Sequence, residues 1–107
     1  MTVYNKVVRD NIPQIIEATG KKFTTRILKD QDFIKHLKQK CYEELNEYCA
    51  ADTNEEAIEE LADLMEIIRS LAQYHGTSME EVEKLRQGKA VKRGGFEEKV
   101  FLVEVED

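Results

Sequence analysis

YEELNEYCAADTNEEAIEELADLMEIIRSL, residues 42–71, decides how the chain reads. Most of its residues are strong helix formers, and the pattern breaks once, at Ala51-Asp52-Thr53. Thr53-Asn54-Glu55-Glu56 fits a capping box, in which the Thr53 side chain accepts from the Glu56 amide and Glu56 reaches back to the Thr53 backbone. The stretch therefore predicts two helices joined by a tight bend. Each helical residue turns about 100° from the last, so the direction of a side chain follows from spacing. After the bend, Leu64, Ile67, Leu71 and Tyr74 form one edge of a broad apolar stripe that also carries Ala57, Leu61, Met65 and Ile68. Glu60 projects into that stripe, between Ile67 and Leu71. Asp63 lies on its border, about 20° beyond Tyr74. Glu59 and Glu66 point to the opposite, solvated side, and the capping role of Glu56 accounts for its position.

The helix before the bend is predicted from Asp30 or Asp32 to about Ala51. Phe33, Leu37, Cys41, Leu45 and Tyr48 form its stripe, and Glu44 projects between Phe33 and Leu37. Glu47 sits just outside, three residues on, so its side chain can converge with that of Glu44. Glu43 lies farther round. Two inward acids on neighbouring helices, each with a partner three residues on, make a cluster of four. Without positive charge such a cluster costs several kcal/mol or forces protonation. Hard divalent cations relieve that cost through oxygen ligands, and Mg²⁺ suits a site that keeps waters for a phosphate substrate, with Mn²⁺ as a substitute. Most E-x-x-E spacings on acid-rich helices are solvated surface; it is the inward phase that separates this pair from them.

The rest of the chain frames this pair. The first segment begins extended and turns helical at Asp10 as N-cap, with Pro13 in the first turn and a stop at Gly20. Lys21–Leu28 alternates loosely and is rich in threonine, which predicts a strand. Ser78-Met79-Glu80-Glu81 is a second capping box, opening a helix to about Lys92 that Gly94-Gly95 ends. Phe101–Glu106 alternates and predicts a second short strand. The expected architecture is all-α in the main: a helical bundle with one or two short peripheral strands, as one domain over residues 1–107.

A single domain of 107 residues buries a thin core, which favours pairing with a second copy. Charged residues make up 36% and hydrophobic ones 41%, too apolar a balance for a disordered acidic tail. The net charge of -6 argues against nucleic-acid polymers as partners, since these need a basic face. It leaves open an anionic substrate brought in by cations. No apolar run approaches a membrane span, and no signal-peptide pattern follows Met1, so a cytoplasmic protein is expected. Cys41 and Cys49, eight apart on one helix, would have backbones roughly 12 Å apart, too far for a disulfide.

Glu44-Leu45-Asn46-Glu47, twelve intervening residues and then Glu60-Leu61-Ala62-Asp63 resemble the E-x2-E and E-x2-D signature of the MazG-like all-α nucleoside triphosphate pyrophosphohydrolases. NKVVRDNIPQII near the start and KAVKRGGFEEKVFL near the end are similar to segments of the phosphoribosyl-ATP pyrophosphohydrolase-like branch of that superfamily. The resemblance implies a helical bundle, a homodimer or homotetramer, that uses Mg²⁺ to split a nucleoside triphosphate into monophosphate and pyrophosphate. By matching position it makes Glu44, Glu47, Glu60 and Asp63 the metal ligands, with Glu43 or Glu44 as the catalytic acid or base. Ions would neutralise phosphate oxygens and acidify a bound water. For the phosphates, the candidates are Lys6 and Arg9 near the start and Lys89 and Arg93, four apart on the last helix.

Two alternatives stand beside this expectation. One is the phosphoribosyl-ATP reaction of histidine biosynthesis; the other is a non-catalytic nucleotide-binding or dimerisation module. A di-iron carboxylate bundle fits poorly, because neither His36 nor His75 stands three residues after a helical Glu.

Overall fold

The computed structural model describes residues 1–107. Four helices follow in order: α1 (Ile12–Ala18), α2 (Asp30–Ala50), α3 (Asn54–Tyr74) and α4 (Met79–Arg93). Two of their N-termini are set by local chemistry visible in the sequence. The Thr53 hydroxyl accepts from the Glu56 amide at 3.1 Å, and the Ser78 hydroxyl accepts from the Glu81 amide at 3.2 Å. Glu56 does reach back, but to the Asp52 amide at 3.2 Å rather than to Thr53. Past the end of α3, Gly76 takes φ 78, and Gly94 caps α4 at φ 82, conformations that a side chain would strain.

Two expected caps are displaced. Asn11, not Asp10, precedes α1, and Lys29 precedes α2. Asp30 and Asp32 lie inside the first turn of α2, where their charge still favours the exposed amides.

The strands expected at Lys21–Leu28 and Phe101–Glu106 do not form; no residue of either stretch is in a ladder. Alternation tells which side chains share a face, but a strand persists only when another backbone pairs with it. Neither stretch meets one within the chain, and Ile27, Phe101 and Val103 are 97%, 87% and 82% exposed.

The centre of the fold is the hairpin of α2 and α3. These are 21-residue helices joined by only Ala51-Asp52-Thr53, so they return alongside each other, and α4 packs against α3 alone. Leu37 from α2 and Ile67 and Ala72 from α3 are the buried apolar residues. The broad stripe of α3 is divided lengthwise. Ala57, Leu64, Ile67 and Leu71 are buried or half-buried, whereas Leu61, Met65 and Ile68 stay exposed, as do Leu45 and Tyr48 on α2. The molecule measures 60 × 36 × 27 Å with a radius of gyration of 18.3 Å. A compact chain of this length has about 13 Å. This chain is too open to finish its own core.

Candidate metal centre

The last turns of α2 carry Glu43, Glu44 and Glu47, and the second and third turns of α3 carry Glu60 and Asp63. The short bend sets the two groups opposite each other. One carboxylate oxygen from each of Glu43, Glu44 and Glu47 lies within 4.8 Å of the others, and so does one from each of Glu44, Glu60 and Asp63. Glu44 belongs to both sets and ties the helices together.

Burial follows the helical phase. Glu44 is 7% exposed, on a par with the core residue Ile67. Glu60, Asp63 and Glu43 are half-buried, and Glu47 is exposed. The Oε2 atoms of Glu44 and Glu60 are buried without a hydrogen-bond partner. Two carboxylates facing each other have no donor between them unless one takes a proton. Accordingly the Glu60 pKa is pushed up to about 7, first by the hydrogen bond a protonated Glu60 makes with Glu44, then by burial, then by Glu47. Glu47 is also raised, by its hydrogen bond with Glu44 first, then burial and the Glu44 charge.

Three cations approach the rim. Lys6 Nζ lies 2.9 Å from Glu43 Oε1, and Arg9 Nη2 lies 2.7 Å from Asp63 Oδ1. Lys40 Nζ lies 3.4 Å from Glu44 Oε1 and 3.6 Å from Glu43 Oε1. The hydrogen bond from Lys6 is the main reason the Glu43 pKa is lowered, and the same bond raises that of Lys6. Sequence reasoning passed over Lys40, although its place four residues before Glu44 was a usable signal. Glu47 and Glu60 have no cation beside them, so the interior of the cluster keeps unbalanced negative charge.

An all-oxygen donor set with buried, unpartnered oxygens is what a hard divalent cation takes up, so the residues present fit such an ion. The other candidates fall elsewhere. Lys89 and Arg93 are exposed on α4 and pair with none of the acids. His36 and His75 join neither group, and Cys41 and Cys49 are free thiols.

Comparison with known proteins bears on the same residues. The family model described as phosphoribosyl-ATP pyrophosphohydrolase matches residues 6–87. That span takes in all five acids, Lys6, Arg9 and Lys40, and stops short of Lys89, Arg93 and the C-terminal stretch from Gly88. An uncharacterised protein of Mycolicibacterium smegmatis is 41% identical over 54 residues, which cover 50% of this chain and 55% of that one. The chain thus spans about half the length of the curated relative it matches. No solved structure matches it.

Proposed function

The chain belongs to the phosphoribosyl-ATP pyrophosphohydrolase family, a MazG-like all-α group, and we propose that it is a Mg²⁺-dependent nucleotide pyrophosphohydrolase. It would cleave a nucleoside triphosphate or related nucleotide to monophosphate and pyrophosphate. The observation that carries the reading is Glu44: a carboxylate 7% exposed, with one oxygen unpartnered, aimed at acids of the facing helix. A buried charge left this way is destabilising, and coordination removes the penalty.

In this reading Glu44, Glu47, Glu60 and Asp63 hold the metal, with Mn²⁺ as a substitute. Bound there, Mg²⁺ would supply charge neutralisation at the phosphate oxygens and a more acidic water. The chain's own residues do the rest. Glu43 stands at the edge of the cluster, ionised at neutral pH as any ordinary glutamate is, and is available to accept a proton; the hydrogen bond from Lys6 lowers its pKa while it lasts. Arg9 offers a planar fork suited to phosphate, and Lys6 a point charge. Lys89 and Arg93 remain candidates for the same task. The family description favours phosphoribosyl-ATP as one specific substrate, so it belongs beside the nucleoside triphosphates in any panel. Pyrophosphate release should appear with at least one of these substrates in the presence of Mg²⁺ and vanish with chelator. Silence across the whole panel, with no metal binding, overturns the proposal.

The same reading includes a second copy of the chain. With only four buried residues, and Leu45, Tyr48, Leu61, Met65 and Ile68 exposed along the hairpin, burial of that face against its twin would complete a four-helix core. Light scattering should give at least twice the chain mass of 12.4 kDa. A mass near 12.4 kDa at micromolar concentration rules the pairing out.

A further inference from the structure

The first eleven residues form no helix, yet they are not loose from the site. Asn5 takes φ 46, a left-handed conformation that Asn tolerates, and bends the chain immediately before Lys6. Lys6 Nζ then lies 5.9 Å from the Tyr4 ring centroid and 2.9 Å from Glu43 on α2. Three residues later Arg9 reaches Asp63 on α3. These two bonds are the segment's side-chain hydrogen bonds to the hairpin, one to each helix, so it crosses the seam above the cluster. The cations remain open to water, with side chains 41% and 58% exposed. Exposed ion pairs are weak and easily exchanged.

We propose that this segment is a strap coupled to the metal: Arg9 occupies the ligand Asp63, Lys6 sets a positive charge on Glu43 beside the ligands, and an ion entering the cluster releases both. The inference rests on the metal reading above. An N–H placed on a carboxylate oxygen takes the lone pair that coordination needs, and a second positive charge beside it opposes entry of the first. Linkage is reciprocal, so whatever loosens the strap tightens metal binding, and metal loosens the strap. Release also frees two cations at the mouth of the site, where the phosphates of a substrate would need them. Lys6 and Arg9 are therefore positioning residues that answer to the ion before they meet the substrate.

Calorimetric titration with MnCl₂ or MgCl₂ alone, on the full chain, tests the coupling. The double variant Lys6→Gln/Arg9→Gln should bind metal about fivefold more tightly than the wild type, the change expected from two exposed ion pairs. Lys21→Gln/Lys22→Gln, which removes the same charge from a stretch paired with no acid, should bind as the wild type does. In the wild-type protein, ¹⁵N relaxation at residues 5–10 should show greater mobility when Mg²⁺ is added and recovery when it is chelated. Equal or weaker metal binding by the strap variant, or residues 5–10 unmoved by Mg²⁺, overturns the strap alone. No metal binding by the wild type overturns the strap and the metal centre together.

Discussion

Glu44→Gln is expected to lower pyrophosphate release by more than about a hundredfold, while the folded protein becomes more resistant to heat in the presence of chelator. Both halves follow from the same geometry. Glu44 is the acid common to both carboxylate groups, so its loss removes a donor from each. Changing a residue that merely supports a metal ligand typically costs 10–100-fold, so a change at the shared ligand should exceed that range. Stability moves the other way because the amide is neutral and can donate. It offers an N–H to the facing acids, among them Glu60 with its unpartnered oxygen, and removes one of the like charges, while Lys40 keeps Glu43 as its partner. Steady-state assay and differential scanning fluorimetry on the same preparation check the pair. A variant that loses heat resistance along with activity would point to a structural role for Glu44 instead.

The second large effect is on pH. Glu60 holds its proton up to about 7 in the folded chain, against an ordinary value of 4.5, a proton affinity about 300-fold above normal. Between those values the folded state binds more protons than the unfolded, so stability falls as pH rises. The contribution is fully present below 4.5 and gone above about 7. Glu47, also raised, adds in the same direction. Glu43 acts oppositely: its lowered pKa contributes stability that is present above 4.5 and lost as acid protonates it. In chelator the thermal midpoint should therefore decline from pH 4.5 to 7, and Glu60→Gln should flatten most of the decline. Saturating Mg²⁺ should reverse it, since coordination requires the ionised acid and metal and proton compete for the same oxygens. A decline of equal slope in Glu60→Gln would assign it to some other group.

The helices were legible in the sequence because their signals are local. Thr53 and Ser78 each fix a helix start through an atom three residues away, and Gly76 and Gly94 mark the ends. The inward direction of Glu44 and Glu60 was legible too, since phase along a helix needs no knowledge of its neighbour. What the pattern could not supply was the identity of the neighbour. Lys21–Leu28 and Phe101–Glu106 have the alternation of strands but no partner to pair with. Leu61, Met65 and Ile68 have the phase of core residues and remain exposed, because α2 covers only one side of their stripe. The bonds from Lys6 to Glu43 and from Arg9 to Asp63 span 37 and 54 positions, beyond the reach of any periodicity.

The bend at Ala51-Asp52-Thr53 has a bearing on how the chain acquires its shape. Glu47 and Glu60 are thirteen positions apart, so closing this hairpin is among the shortest-range tertiary events open to the chain. It is also the event that crowds the carboxylates. Closing this hairpin thus climbs against its own electrostatic repulsion, and the ease of that step becomes a property of the ionic surroundings in which the polypeptide is made.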